Sequence, residues 1–192
     1  MLKFLISFLL FIFLFSCTSQ ESKKNNNNPV KDTINKNSFV KADTTSLKNT
    51  AYYKFAGDSS VIIPSFEIEV SLSTKAKQKL KKDKETIIVI AYFSGQPKDT
   101  TSEEYLKSGE MSLTSAQREI KDSAIAKFEG IKFSKALYDL LADKDIQLLI
   151  NVVSGRKSTK DNLLNCDILE DKMSNIKGKR FTIKGKLIYG DD

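Results

Sequence analysis

The sequence predicts a mainly β domain, an antiparallel β-sandwich of about seven strands with two short helices, and three observations carry that expectation. From about Lys48 onward, short runs alternate apolar and polar residues at period two. Gly, Asn, Asp and Ser separate these runs, and only two stretches show helical spacing instead. The roughly 145 residues from Lys48 suffice to bury about 70% of the surface an unfolded chain exposes, so a single core can hold the domain.

Taken in order, Phe66, Ile68, Val70 and Leu72 alternate with Ser65, Glu67, Glu69 and Ser71, which sets one face against a core and the other in water. Ser73 and Thr74 then precede Lys75 to Lys84, where Ala76 and Leu80 form a narrow apolar stripe. A hydroxyl able to accept from the first-turn N–H groups makes this a capped helix. Ile87 to Phe93 is apolar on both faces and rich in β-branched residues, the pattern of a central strand. Strands follow at Glu110 to Glu119 and at Ala124 to Phe133, with Gly130 read as a bulge in the second. Ser134 caps a helix over Lys135 to Ala142, with Leu137, Leu140 and Leu141 as its apolar stripe. Strands at Ile146 to Ser154, Ile168 to Met173 and Phe181 to Tyr189 complete the set. Gly185 lies where another backbone is expected to approach closely. Seven strands with turns between them give a sandwich of immunoglobulin-like or transthyretin-like outline.

The residues ahead of this domain have a different character. Met1-Leu2-Lys3 is followed by an almost wholly apolar run from Phe4 to Phe15, then Ser16 and Cys17. A dozen residues of helix reach only about 18 Å, short of the roughly 30 Å hydrocarbon core, so the run reads as a secretory signal peptide over residues 1–16 rather than a membrane span. Leu14-Phe15-Ser16-Cys17 resembles the lipobox of bacterial lipoproteins, although Phe15 is bulkier than the residue usual at that place. The resemblance covers residues 1–17. It implies cleavage before Cys17 and attachment of palmitate-type acyl chains to that cysteine. Two or three chains meet the requirement that stable anchoring use more than one lipid signal. Thr18 in place of an Asp implies, by the same resemblance, the outer rather than the inner membrane. Residues 17–47, with Asn25-Asn26-Asn27-Asn28-Pro29 and few large apolar side chains, are expected to form a disordered tether between the lipidated cysteine and a domain over 48–192.

Composition excludes more chemistry than it suggests. The chain has no His, which removes the Ser-His-Asp and Cys-His nucleophile arrangements and the commonest metal ligand. It has two Cys, so if Cys17 carries lipid, Cys166 has no partner for a disulfide within the chain and reads as a small buried or half-buried hydrophobe. No phosphate-binding glycine loop occurs, and Gly178-Lys179 lacks the flanking residues one would need. Ser154-Gly155-Arg156-Lys157 matches S-x-x-K, through which a Lys can activate a Ser. The tetrad also occurs at Ser38 and Ser174, its usual companion motifs are missing, and a polar loop after a strand explains it. Asp143 with Asp145, and Asp161, Asn162, Asp167, Glu170 and Asp171, lack calcium-loop spacing and read as turns. Glu67 and Glu69 read as the wet side of a strand rather than a glycosidase pair. No catalytic residue, metal or cofactor is therefore expected.

The formal charge is +7; it becomes +6 without the leader and about +4 on the domain alone, since residues 17–47 hold five basic and three acidic side chains. That excess is too diffuse for a nucleic-acid binder. It is locally dense from Lys75 to Lys84, where Lys75, Lys79 and Lys82 are candidates for an electrostatic contact with anionic lipid, an acidic glycan or an acidic partner. The loop Ser94 to Gly109, with Ser154 to Asn165 as a further member, is a second candidate for recognition. The expectation is a noncatalytic lipoprotein of the bacterial cell envelope, anchored in the membrane and binding a protein partner or envelope component. By fold analogy a structural lipoprotein of an envelope-spanning secretion assembly is a second reading, and a Ser/Lys-type hydrolase a third.

Overall fold

The computed structural model describes residues 52–121 and 125–189, and within them eleven strands and four short helices form a mainly β fold with three sheets. Strands β1 (Lys54–Ala56), β2 (Ser60–Ile62) and β7 (Lys132–Ser134) make a small antiparallel sheet in that order. Strands β3 (Phe66–Leu72), β6 (Ile125–Phe128), β9 (Leu164–Cys166) and β11 (Arg180–Leu187) make a second, ordered β6-β3-β11-β9. Strands β4 (Ile87–Gly95), β5 (Met111–Ile120), β8 (Gln147–Ser154) and β10 (Leu169–Lys172) make a third, ordered β10-β8-β4-β5. Helices α1 (Thr74–Lys82), α2 (Glu103–Ser108), α3 (Lys135–Leu140) and α4 (Met173–Ile176) lie in connections.

Period-two patterning explains the core. Phe66, Ile68, Val70 and Leu72 of β3 are buried, as are Ile87, Val89, Ala91 and Phe93 of β4, and all belong to one cluster with Leu148, Ile150 and Val152 of β8. Phe66 stacks on Phe128 with centroids 4.9 Å apart and meets Phe93 edge-on at 6.3 Å, which joins the two four-stranded sheets through one aromatic contact chain. Each such ring contributes on the order of 2 to 3 kcal/mol through burial.

The structure differs from the sequence expectation in defined places. The run ending at Phe133 is not one bulged strand: β6 pairs with β3, β7 pairs with β2, and Gly130 between them takes a left-handed φ of 67° to carry the chain from one sheet to another. Ala124 lies outside the described residues. The fold is not wholly antiparallel, because β11 pairs with β3 in parallel from Arg180 opposite Glu67 to Gly185 opposite Leu72. At Gly185 the close neighbours are side chains, with Leu72 Cδ2 2.8 Å from where a Cβ would stand and the Cys166 thiol closer still. In α3 the buried residue is Tyr138, while Leu140 is 54% exposed and Leu141 is buried beyond the helix end.

Strand direction fixes two ends. β3 runs into α1, which returns the chain to Ile87, and Ile87 pairs with Ser154 of β8 and Ile120 of β5. At the other end of β4, Ser94 pairs with Gln147 and Ser112. The nine residues of β4 separate these poles by roughly 27 Å at about 3.4 Å per residue.

Candidate functional site

The lysine-rich segment forms the helix its spacing predicts. Ser73 is the N-cap, its Oγ accepting from Ala76 N–H at 3.2 Å, and Ala76 and Leu80 are the buried residues. Burying only those two leaves Lys75, Lys77, Lys79, Lys81 and Lys82 exposed. Lys79 pairs with Asp83 one turn on at 2.8 Å, and lysines in the last turn complement the negative end of the helix dipole.

Directly after α1, Glu85 is a buried carboxylate that sequence reasoning missed. Its oxygens accept from Thr86 N–H at 2.9 Å, Lys157 N–H at 2.9 Å, Ser158 N–H at 2.9 Å and the Ser158 hydroxyl at 2.9 Å. Burial opposes ionisation, but donation from Ser158, Lys157 and Thr86 outweighs it and holds the carboxyl down at about 2. The carboxylate thus straps the loop after β8 to the start of β4. Arg156 within that loop sits at a left-handed φ of 56°, and Gly155 gives its N–H to Thr86 O at 2.7 Å, with no room for a Cβ beside the Thr86 side chain. A lone Glu between a lysine helix and an apolar strand was the available signal, but its partners Lys157 and Ser158 lie more than 70 residues away.

This strap determines what becomes of Ser154-Gly155-Arg156-Lys157. Ser154 is buried, and its Oγ accepts from Leu163 N–H at 3.0 Å. Lys157 Nζ lies 3.1 Å from Glu119, whose carboxylate also accepts from the Thr86 hydroxyl at 2.7 Å. Serine and lysine are each engaged elsewhere. Cys166 is half-buried, and burial, with the Asp167 charge second, pushes its thiol up to about 11, so it is protonated at neutral pH.

The two candidate recognition loops are not brought together. The segment 154–165 leaves the Ile87 end of β4, whereas 94–109 leaves the Ser94 end and packs against α3 through Lys98 N–H to Leu140 O at 2.9 Å and Ala142 N–H to Gln96 O at 2.8 Å. The acidic residues behave as turn and pairing residues. Asp143 accepts from Asp145 N–H at 3.0 Å and pairs with Lys172 at 2.7 Å, and among the described residues no group of three or more potential ligands could hold a metal ion. Glu67 pairs with Arg180 at 2.6 Å and Lys127 at 3.6 Å, and Glu69 accepts from the Thr182 hydroxyl at 3.5 Å.

At the Ser94 pole an aromatic group fixes the first described residues. The Tyr52 hydroxyl donates to Asp145, which also accepts from Ser174 N–H at 3.0 Å, and Tyr53 Oη accepts from Ile146 N–H at 3.2 Å. Burial and donation to Asp145 push the Tyr52 phenol well above its ordinary range, so it keeps the proton it donates. Lys177 Nζ stands 3.9 Å over the Tyr52 ring. Cys17 and the rest of residues 1–51 lie outside the described residues.

These features define a mainly β domain with a basic pole at one end and an aromatic, hydrogen-bonded pole at the other. No family model, no curated protein and no solved structure matches the chain.

Proposed function

We propose that this protein is a membrane-anchored lipoprotein of the bacterial cell envelope whose domain, a β-sandwich of immunoglobulin-like or transthyretin-like outline, binds an envelope component or protein partner without catalysis. The observation that carries the reading is the junction Leu14-Phe15-Ser16-Cys17 behind a cationic start and a short apolar run. The acyl chains on Cys17 hold the protein at the membrane, and the outer membrane is the one Thr18 favours. Residues 17–47 act as the tether, with a typical end-to-end distance of roughly 30 Å for about 30 residues. The sandwich description is supported by the shared core of the two four-stranded sheets and the Phe66–Phe93 contact between them.

The binding surface we propose includes Lys75, Lys79 and Lys82, all exposed on α1. Labelling cells with a fatty-acid analogue tests the anchor. The intact protein is expected to incorporate label and to float with membranes, and Cys17→Ser to incorporate none and to keep its leader. Equal labelling and processing of both proteins would overturn the reading.

A further inference from the structure

Positive charge at the α1 pole is not confined to the helix. Lys84 follows α1, and the strapped loop adds Arg156, Lys157 and Lys160. β11 ends at the same pole, since Gly185 pairs opposite Leu72 and its carbonyl accepts from Ser73 N–H at 2.9 Å; this brings in Lys184 and Lys186. Lys121 follows Ile120, which pairs with Ile87. Among the described residues Lys81, Lys82, Lys84, Arg156 and Lys160 make no ion pair. Three of the acidic residues at this pole are already engaged: Glu85 holds four donors, Glu119 binds Thr86 and Lys157, and Asp83 binds Lys79, which leaves Asp161 and Asp167 as its exposed acidic side chains among the described residues. Away from this pole Lys107 pairs with Glu103, Lys135 with Asp139 and Lys172 with Asp143, while among the described residues Lys54, Lys98 and Lys132 make no ion pair.

We propose that the α1 pole is a docking surface for an anionic polysaccharide, a chain with repeated carboxylate, phosphate or sulfate groups. Cations drawn from a helix, a loop and a strand end are spread across the pole rather than gathered in a pocket. A linear polyanion engages such a spread through many weak contacts, with release of its counterions. The loop cations stand on ordered backbone, because the Glu85 strap fixes Lys157 and Ser158, so binding costs little loop entropy. Between β9 and β11 a shallow groove of about 210 Å³ has Lys184 and Lys186 on its rim, with Asp167 in it as the one opposing charge among its lining residues. Tyr189, 81% exposed just past β11, offers a ring face on which a sugar can stack.

Under the lipoprotein reading on which this inference rests, lipid supplies the anchor and the charged pole is left for a second ligand; the exposed Tyr189 ring beside Lys184 and Lys186 favours a sugar polymer over a surface of lipid headgroups.

The test uses the intact lipidated protein in detergent micelles, titrated with fluorescent dextran sulfate at several salt concentrations. Binding is expected to weaken with salt. Substituting Lys81→Gln, Lys82→Gln, Arg156→Gln and Lys160→Gln together should lower affinity at least about tenfold and flatten the log–log salt slope by about two to three, at roughly 0.7 for each cation withdrawn from a flexible polyanion. A control with Lys54→Gln, Lys98→Gln, Lys107→Gln and Lys132→Gln removes the same charge elsewhere and should stay within about twofold. Equal losses in both variants, or no binding by the parent protein, would overturn the proposal. In a second arm the protein is placed in phosphatidylcholine vesicles and mixed with vesicles carrying about a quarter phosphatidylglycerol. Clustering of the two populations without dextran sulfate binding would assign the pole to a membrane surface and overturn the polysaccharide. Failure of the protein to float with the first vesicles would count against the anchor alone, since the micelle titration does not depend on it.

Discussion

Where the described chain begins, order comes from aromatic packing: Tyr52 donates to Asp145, Tyr53 accepts from Ile146 N–H, and Tyr138 meets Tyr53, Phe55 and Phe133 edge-on at 5.6 to 6.1 Å. At the other end of β4 order comes from one buried carboxylate, and the surface around it is lysine and arginine. The first pole is held by aromatic packing and by the hydrogen bonds of Tyr52 and Tyr53. The second holds like charges on a helix and a strapped loop.

The largest effect is expected at the strapped loop. Gly155→Ala puts a Cβ into the Thr86 side chain, which is itself held by Glu119, and should cost about 3 kcal/mol or more in urea unfolding while weakening dextran sulfate binding. A stability loss with binding intact would separate the loop from the basic surface.

Glu85→Gln should cost about 2 kcal/mol at neutral pH, because backbone N–H groups then face an amide instead of a carboxylate. The sign with pH follows from a folded value near 2 against an ordinary 4.5: the stabilisation is complete above about pH 5 and is lost as pH falls toward 2. Unfolding curves of parent and variant should therefore converge at low pH. Curves that stay parallel would remove Glu85 ionisation from the account.

Tyr52→Phe, at the opposite pole, is expected to cost about 1 to 2 kcal/mol by taking a donor from Asp145, and to leave polyanion affinity unchanged. Smallest in stability is the triple change Lys75→Gln, Lys79→Gln and Lys82→Gln. Thermal unfolding should shift by no more than about 0.5 kcal/mol, since exposed pairs such as Lys79 with Asp83 contribute little, yet anion binding should fall and its salt slope flatten by about two. A change in stability without one in binding would invert the contrast between the poles.

Much of this contrast was hidden in the sequence, for physical reasons. β3 was legible through apolar alternation and β4 through a β-branched run apolar on both faces, and α1 through Ser73, Ala76 and Leu80. β1, β2 and β9 have three residues each, too few to show a period, and α2 buries no residue, so it has no stripe. Neither the parallel pairing of β11 with β3 nor the placing of two loops at opposite ends is a local property. The lysines were legible as a dense run on one helix. That Arg156, Lys160, Lys184 and Lys186 share their pole depends on contacts such as Glu85 with Lys157 and Ser73 with Gly185, each spanning about 70 residues or more.

Site-specific photocrosslinking in intact cells tests the two-pole account most directly, with the crosslinker at Lys82 in one strain and at Lys98 in another. The account predicts that the protein labelled at position 82 is captured with an acidic polysaccharide and that the protein labelled at position 98 is not. Capture of the same polysaccharide from both positions, or from position 98 alone, would contradict it.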